Sequence, residues 1–196
     1  MQHTTKNENI QILYNYLLGM RYERIKEFRE KYIPYNKIVE KMDLKPDDVI
    51  IDMGAGDGFY SKLFADKLKN GKVYAIERNP DVLPHLQRNL MEMKNFEVVN
   101  ENMCHVDIKG FNKIFFSTVF HDIECREDII DFMIRNSKKP LNVYLIEFNK
   151  KSAMGPPLDI RICHDELNKI FTESGFQPAL HMDFEYNYFD SYYLEK

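Results

Sequence analysis

Val49 to Tyr60 reads VIIDMGAGDGFY, an apolar run that ends in an acid and passes through a glycine-rich loop into an amphipathic segment. Val49, Ile50 and Ile51 are consecutive and β-branched, which suits a strand buried on both faces of a parallel sheet. Asp52 closes that strand. Gly54, Gly56 and Gly58 then supply a loop that turns sharply and lets a ligand approach bare backbone. A strand, a tight turn and a helix are therefore expected here, with Ala55 and Asp57 set between the glycines.

The spacing separates two cofactor classes. A dinucleotide fingerprint, GxGxxG, would place its third glycine at position 59, which is Phe59. NADH binding is therefore not expected. The G-x-G-x-G pattern with an acid two residues upstream resembles motif I of the class I S-adenosylmethionine-dependent methyltransferases, whose loop passes beneath the methionine and ribose parts of the cofactor. A second apolar run, Lys72 to Glu77 (KVYAIE), ends in a carboxylate 19 residues after Gly58. An acid at that point can accept hydrogen bonds from both ribose hydroxyls, with Arg78 beside it.

Outward from this core the chain alternates strand and helix. Leu63, Phe64 and Leu68 mark a helix that stops near Asn70-Gly71. Asn79-Pro80 opens another, which Pro84 delays or distorts. Phe96 to Val99 is a third strand. By the resemblance, Asn102 bonds the adenine amino group just after it and Met103 packs on the ring. Lys113 to Val119 is the fourth strand, with Ser117 and Thr118 at its end, where ligands of open α/β sheets bind. His121 and Asp122 follow as catalytic candidates, since either could take a proton from an acceptor or orient it; both could equally belong to the loop that caps the helix Glu127 to Asn136.

Asn142 to Phe148 is a fifth strand ending in Glu147. The loop after it, KKSAMGPPLDIRI, and the helix Asp165 to Ser174 resemble the ubiquinone and menaquinone biosynthesis methyltransferase group. Gln177 to Phe184 and Tyr188 to Leu194 form an antiparallel hairpin at the sheet's edge. The resemblance covers about residues 35 to 196. It implies a Rossmann-like α/β fold: a seven-stranded, mostly parallel sheet with one antiparallel edge strand and helices on both faces.

Residues 1–34 read as an N-terminal helical cap and 35–196 as the methyltransferase domain. Ile10, Leu13, Tyr14, Leu17 and Leu18 share a helix face, and a charged helix runs from Tyr22 to Tyr32. Tyr14, Tyr16, Met20 and Tyr22 are candidate lining residues of an acceptor pocket, though such a stripe also suits a core.

Composition bounds the partners. The 196 residues carry 27 Lys and Arg against 31 Asp and Glu, a net charge of −4, which argues against a strongly basic nucleic-acid groove. No apolar run is long enough for a membrane span, and the polar start is no signal peptide, so a cytoplasmic location is expected. Cys104, Cys125 and Cys163 include no CxxC pair and read as separate reduced thiols; no metal site is expected from them or from the six scattered histidines.

The resemblance implies an S-adenosylmethionine-dependent methyltransferase that aligns an acceptor with the methyl group. The fourth strand lacks the asparagine-proline-proline-aromatic motif of amine- and amide-methylating enzymes, which disfavours adenine or glutamine. A small-molecule acceptor is the first expectation and protein or RNA the second. A non-catalytic S-adenosylmethionine-binding regulatory subunit is the third.

Overall fold

The computed structural model describes residues 24–151 and 155–196. The expected helix over residues 9–18 and the lining residues Tyr14, Tyr16, Met20 and Tyr22 lie outside the described residues, as do residues 152–154 of the loop after the fifth strand. The chain divides into two units, residues 1–36 and 37–196. Within the first, residues 24–32 form helix α1, and the rings of Phe28 and Tyr32, one turn apart, meet at a centroid distance of 5.2 Å.

The chain continues through α2 (Tyr35–Lys41), β1 (Val49–Met53), α3 (Phe59–Ala65), β2 (Lys72–Ile76), α4 (Leu83–Leu90), β3 (Phe96–Val99) and β4 (Lys113–Ser117). Helix α5 (Arg126–Asn136), β5 (Leu141–Phe148), α6 (His164–Glu173), β6 (Gln177–Asp183) and β7 (Asn187–Leu194) complete it. The seven strands form one sheet in the order β3-β2-β1-β4-β5-β7-β6. Strands β1 to β5 pair in parallel, and β7 runs antiparallel to both β5 and β6. The reversed strand thus lies one place in from the edge. Ordinary pattern rules explain this layout. The central strands β1, β4 and β5 are near-continuously apolar and buried, as strands covered on both faces must be, whereas β6 exposes most of its residues and takes the edge.

A large cluster that includes Met53, Phe116, Phe120, Phe171 and Tyr192 fills the sheet's interior. A smaller one, of Ala55, Leu83, Leu86 and Leu90, fastens the glycine loop to α4.

Three local expectations change. Helix α3 closes at Ala65, short of Asn70. Asn79-Pro80 starts no helix, because the Asn79 side chain accepts the Asp81 N–H at 3.0 Å in a turn; α4 begins at Leu83 with Pro84 in its first turn, where a missing N–H costs nothing. The cysteines are not three separate thiols. Cys104 and Cys125 form a disulfide with Cα atoms 6.0 Å apart, and Cys163 is the free one. Their 21-residue separation hid the pairing; the 3-10 turn Met103–His105 packs against α5, which brings them together.

Candidate active site

The loop after β1 is built on left-handed backbone at Gly54, Gly56 and Gly58. At Gly58, with φ +81, an added Cβ would lie 2.6 Å from Leu86 Cδ1, so that glycine is required both by its conformation and by close packing on α4. Gly56 is different. The nearest atom to a Cβ there is 4.0 Å away, so its missing side chain leaves open space in front of the loop. Ala55 ties the loop to β2, donating its N–H to the Ile76 carbonyl at 2.9 Å. Asp57 accepts the Phe59 N–H at the start of α3, and its carbonyl accepts from Asn89 Nδ2 at 2.7 Å.

Two acids flank this loop in contrasting states. Asp52 is buried beneath it and accepts from Ser61 Oγ at 2.6 Å. Burial pushes the Asp52 carboxyl up to about 7, against the pull of the Ser61 bond. Its role in the structure is to join β1 to α3. Glu77 instead stands half-buried at the end of β2. Its Oε2 accepts the Gly56 N–H at 3.0 Å and its Oε1 the Asn79 N–H at 2.8 Å. A carboxylate has about four lone-pair sites, so one on each oxygen is left over as an acceptor. Arg78 is exposed at the next position.

The Glu77 N–H donates to the Val99 carbonyl, which sets it beside the end of β3. From there the chain reaches Asn102, whose Oδ1 accepts the Cys104 N–H at 3.1 Å, leaving the amide NH2 group as a donor. Met103 is half-buried and packs on the main core. The Cys104–Cys125 disulfide pins this turn to the start of α5.

The fourth wall is the loop after β4. Val119 Cγ2 would lie 2.8 Å from a Cβ on Gly54, so residues 117–122 abut the glycine loop directly. Thr118 has φ +52, a conformation a β-branched residue adopts only under constraint, typically at a strain of about 1–3 kcal/mol. Three anchors hold it. The Thr118 N–H donates to the Ile146 carbonyl at 2.7 Å, Glu147 Oε1 accepts the N–H groups of Phe120 and His121, and Arg126 donates to the carbonyls of Phe120 and His121.

His121 is buried, with Nδ1 2.7 Å from Glu147 Oε2 and Nε2 3.5 Å from Asp122 Oδ2. Burial alone would lower its pKa; the Glu147 bond and charge, with Asp122, outweigh it and hold the imidazole above its ordinary value. Asp122 is 63% exposed. Ser117 and Thr118 are half-buried at the strand's end. Glu147, Arg126, Ser61 and Val119 are the residues of this site that motif spacing does not single out. The signal for Glu147 was its position, an acid ending a buried strand as Asp52 and Glu77 do.

The glycine loop, Glu77, the turn after β3 and the loop after β4 therefore line the carboxyl ends of four adjacent parallel strands. S-adenosylmethionine fits this set: open backbone at Gly56, spare acceptors on Glu77 and a polar turn at Asn102. Fold and site are of the kind found in S-adenosylmethionine-dependent methyltransferases. A family model for ribosomal RNA adenine dimethylase matches residues 27–135, and the chain belongs to that family. It is 37% identical over 71 residues to ribosomal RNA small subunit methyltransferase A of Alkaliphilus metalliredigens, covering 36% of this chain and 24% of that one. It is 28% identical over 159 residues to the probable ribosomal RNA small subunit methyltransferase A of Methanosarcina barkeri, covering 76% and 53%. The chain thus spans about a quarter to a half of these relatives. Among solved structures, a SAM dependent methyltransferase from Aquifex aeolicus superposes with a TM-score of 0.77 at 21% identity, over 87% of this chain and 97% of that one.

These findings correct two expectations. The resemblance to the ubiquinone and menaquinone group is not supported; the Gly155-Pro156-Pro157 segment that suggested it lies beyond the matched residues. A small-molecule acceptor without a nucleic-acid partner is contradicted by membership of a ribosomal RNA methylating family. Net charge misled here because it averages over the whole surface and is silent about any one face.

Proposed function

We propose that this chain is an S-adenosylmethionine-dependent RNA methyltransferase, with an adenine of ribosomal RNA as its acceptor. The observation that carries the reading is the family match over residues 27–135, which takes in the glycine loop, Glu77, Asn102 and the whole Ser117–Asp122 loop.

When bound, S-adenosylmethionine supplies a methyl group already made electrophilic by its sulfonium. What the chain adds is placement. Gly54, Gly56 and Gly58 hold the cofactor against bare backbone, with Asp52, Ala55 and Asp57 fixing the loop's shape from below and from its ends. Glu77 accepts the ribose hydroxyls beside Arg78. Asn102 and Met103 hold the adenine end.

Ser117 and Thr118 border the methyl end of the cofactor. His121 is a positioning residue: locked on Glu147, it fixes the loop and offers Nε2 to Asp122. Exposed Asp122 is the group able to take a proton from an acceptor nitrogen. The expectation against adenine rests on STVFHD standing in place of the asparagine-proline-proline-aromatic motif; the family match weighs against it, and acceptor contacts here come instead from a loop braced by Glu147 and Arg126.

The test is incubation of the protein with methyl-labelled S-adenosylmethionine and unmethylated small-subunit ribosomal RNA, followed by digestion to nucleosides. Label in methylated adenosine is the expected result. Label in another nucleoside would overturn the adenine assignment, and absence of label from RNA would overturn the RNA reading.

A further inference from the structure

We propose that His164, His181 and Asp190 form a binding site for a divalent transition-metal cation of the Zn2+ class, where the β6–β7 hairpin meets α6, with β7 three places along the sheet from β1. The three come from different elements: His164 opens α6, and His181 on β6 stands directly opposite Asp190 on β7. The spacing of the histidines does not announce this, because hairpin pairing and helix packing bring the residues together.

Asp190 occupies a core-facing position of β7, between Tyr188 and Tyr192 on the same face, and is 1% exposed. A carboxylate so placed must be paired or ligated. His164 Nδ1 lies 2.8 Å from its Oδ2 and His181 Nδ1 2.6 Å from its Oδ1. The two imidazole rings are 3.9 Å apart at their centroids, and one ligand atom from each of the three residues lies within 4.8 Å of the others. One histidine would satisfy a structural carboxylate; two converging on it provide a donor set.

Two further observations favour a cation. Asn168, one turn along α6 from His164, lines the same shallow cavity of about 260 Å³, and its Oδ1 is buried without a hydrogen-bond partner. It is an oxygen donor suited to a fourth position. His181 Nε2 lies 3.5 Å from Asp183 Oδ2, and a carboxylate on the second ring nitrogen is the arrangement that orients a ligating histidine. Tyr192 donates likewise to Asp190 Oδ2 at 3.3 Å.

Imidazole nitrogens with one carboxylate suit Zn2+, Co2+ or Ni2+ rather than Ca2+ or Mg2+, which take oxygen shells. Ligands about 2.0–2.2 Å from a tetrahedral Zn2+ stand about 3.3 Å apart, so the two Nδ1 to Oδ distances would open by roughly half an ångström as a cation replaced the shared protons. Both histidines are about one-third exposed, so the site is open to solvent. A bound cation would clamp the β6–β7 hairpin to α6.

The test is calorimetric titration of chelator-treated full-length protein with ZnCl2, with CoCl2 absorbance reporting coordination. One equivalent should bind, raise the thermal midpoint, and give a tetrahedral Co2+ spectrum without a thiolate charge-transfer band. His164→Gln and His181→Gln keep a polar group beside Asp190 and should each weaken binding at least tenfold, with unchanged circular dichroism in the metal-free state. Cys163→Ser should bind as wild type. Absence of Zn2+ binding by wild type, wild-type affinity in both glutamine variants, or loss of binding in Cys163→Ser would overturn the proposal.

Discussion

Glu77 Oε2 accepts the Gly56 N–H at 3.0 Å, so the acid that ends β2 is bonded to the middle glycine of the loop that follows β1. Each group thereby positions the other. Removal of the carboxylate in Glu77→Ala leaves the Gly56 and Asn79 N–H groups without their acceptor and takes away the contacts proposed to the ribose hydroxyls. Charge-assisted bonds of this kind are worth about 1.5–3 kcal/mol, so S-adenosylhomocysteine should bind roughly ten- to a hundredfold more weakly. Equilibrium dialysis checks this; wild-type affinity in the variant would place the ribose elsewhere.

The glycines divide by what surrounds them. Gly58→Ala drives a Cβ to 2.6 Å from Leu86 Cδ1 at φ +81, whereas Gly56→Ala meets no protein atom closer than 4.0 Å. Both carry the left-handed penalty of about 1–2 kcal/mol. Gly58→Ala should therefore lose clearly more thermal stability. Gly56→Ala should melt nearer wild type while losing cofactor affinity, and the bulkier Gly56→Val should abolish it. Melting curves and ligand binding on the same samples distinguish the two. Equal stability losses would contradict the assignment of open space to Gly56.

Asp52 makes stability depend on pH in a definite direction. Its folded-state pKa is raised from 3.8 to about 7, so folding favours the protonated acid. That contribution is fully present below about pH 3.8 and is lost as the pH rises through 7. Asp52→Asn stays neutral throughout and keeps an acceptor for Ser61. The variant should gain on wild type progressively from about pH 4 to pH 8, measured as the difference in melting temperature. A difference that does not change with pH would show that Asp52 is not held in this state.

His121 titrates in the same sense by a different balance. Burial opposes its charge, yet Glu147 and Asp122 raise its pKa, so the stability it contributes is present below about pH 6.5 and fades as pH rises through the raised folded value. An NMR titration of the His121 ring should give a midpoint above that of a free histidine, falling in Glu147→Gln. Glu147→Ala should slow methyl transfer, because it removes the Oε1 acceptor that holds the Phe120 and His121 N–H groups, which the glutamine variant keeps. A midpoint unaffected by the glutamine substitution would remove Glu147 from this role.

The sequence carried the sheet because apolar runs and glycine spacing are local signals. VIIDMGAGDGFY and KVYAIE fall where β1, the loop and β2 stand, and the hairpin at residues 177–194 pairs as its alternation suggests. What required the fold was long-range. Glu147 meets His121 across 26 residues, and Cys104 meets Cys125 across 21. His181 and Asp190 converge with His164 through strand register and helix packing. Linear spacing does not encode such encounters. The acceptor class is illegible for another reason: overall charge does not describe a single face, and the loop after β4 departs from the motif that marks amine and amide methylation.

The proposed methyl transfer requires first that the Gly54–Gly58 loop and Glu77 hold the cofactor. Calorimetric titration of the purified protein with S-adenosylhomocysteine, run beside NADH, tests this most directly. One equivalent of S-adenosylhomocysteine should bind with micromolar affinity and NADH should give no heat of binding. Tight NADH binding, or no binding of S-adenosylhomocysteine, would contradict the account of the site.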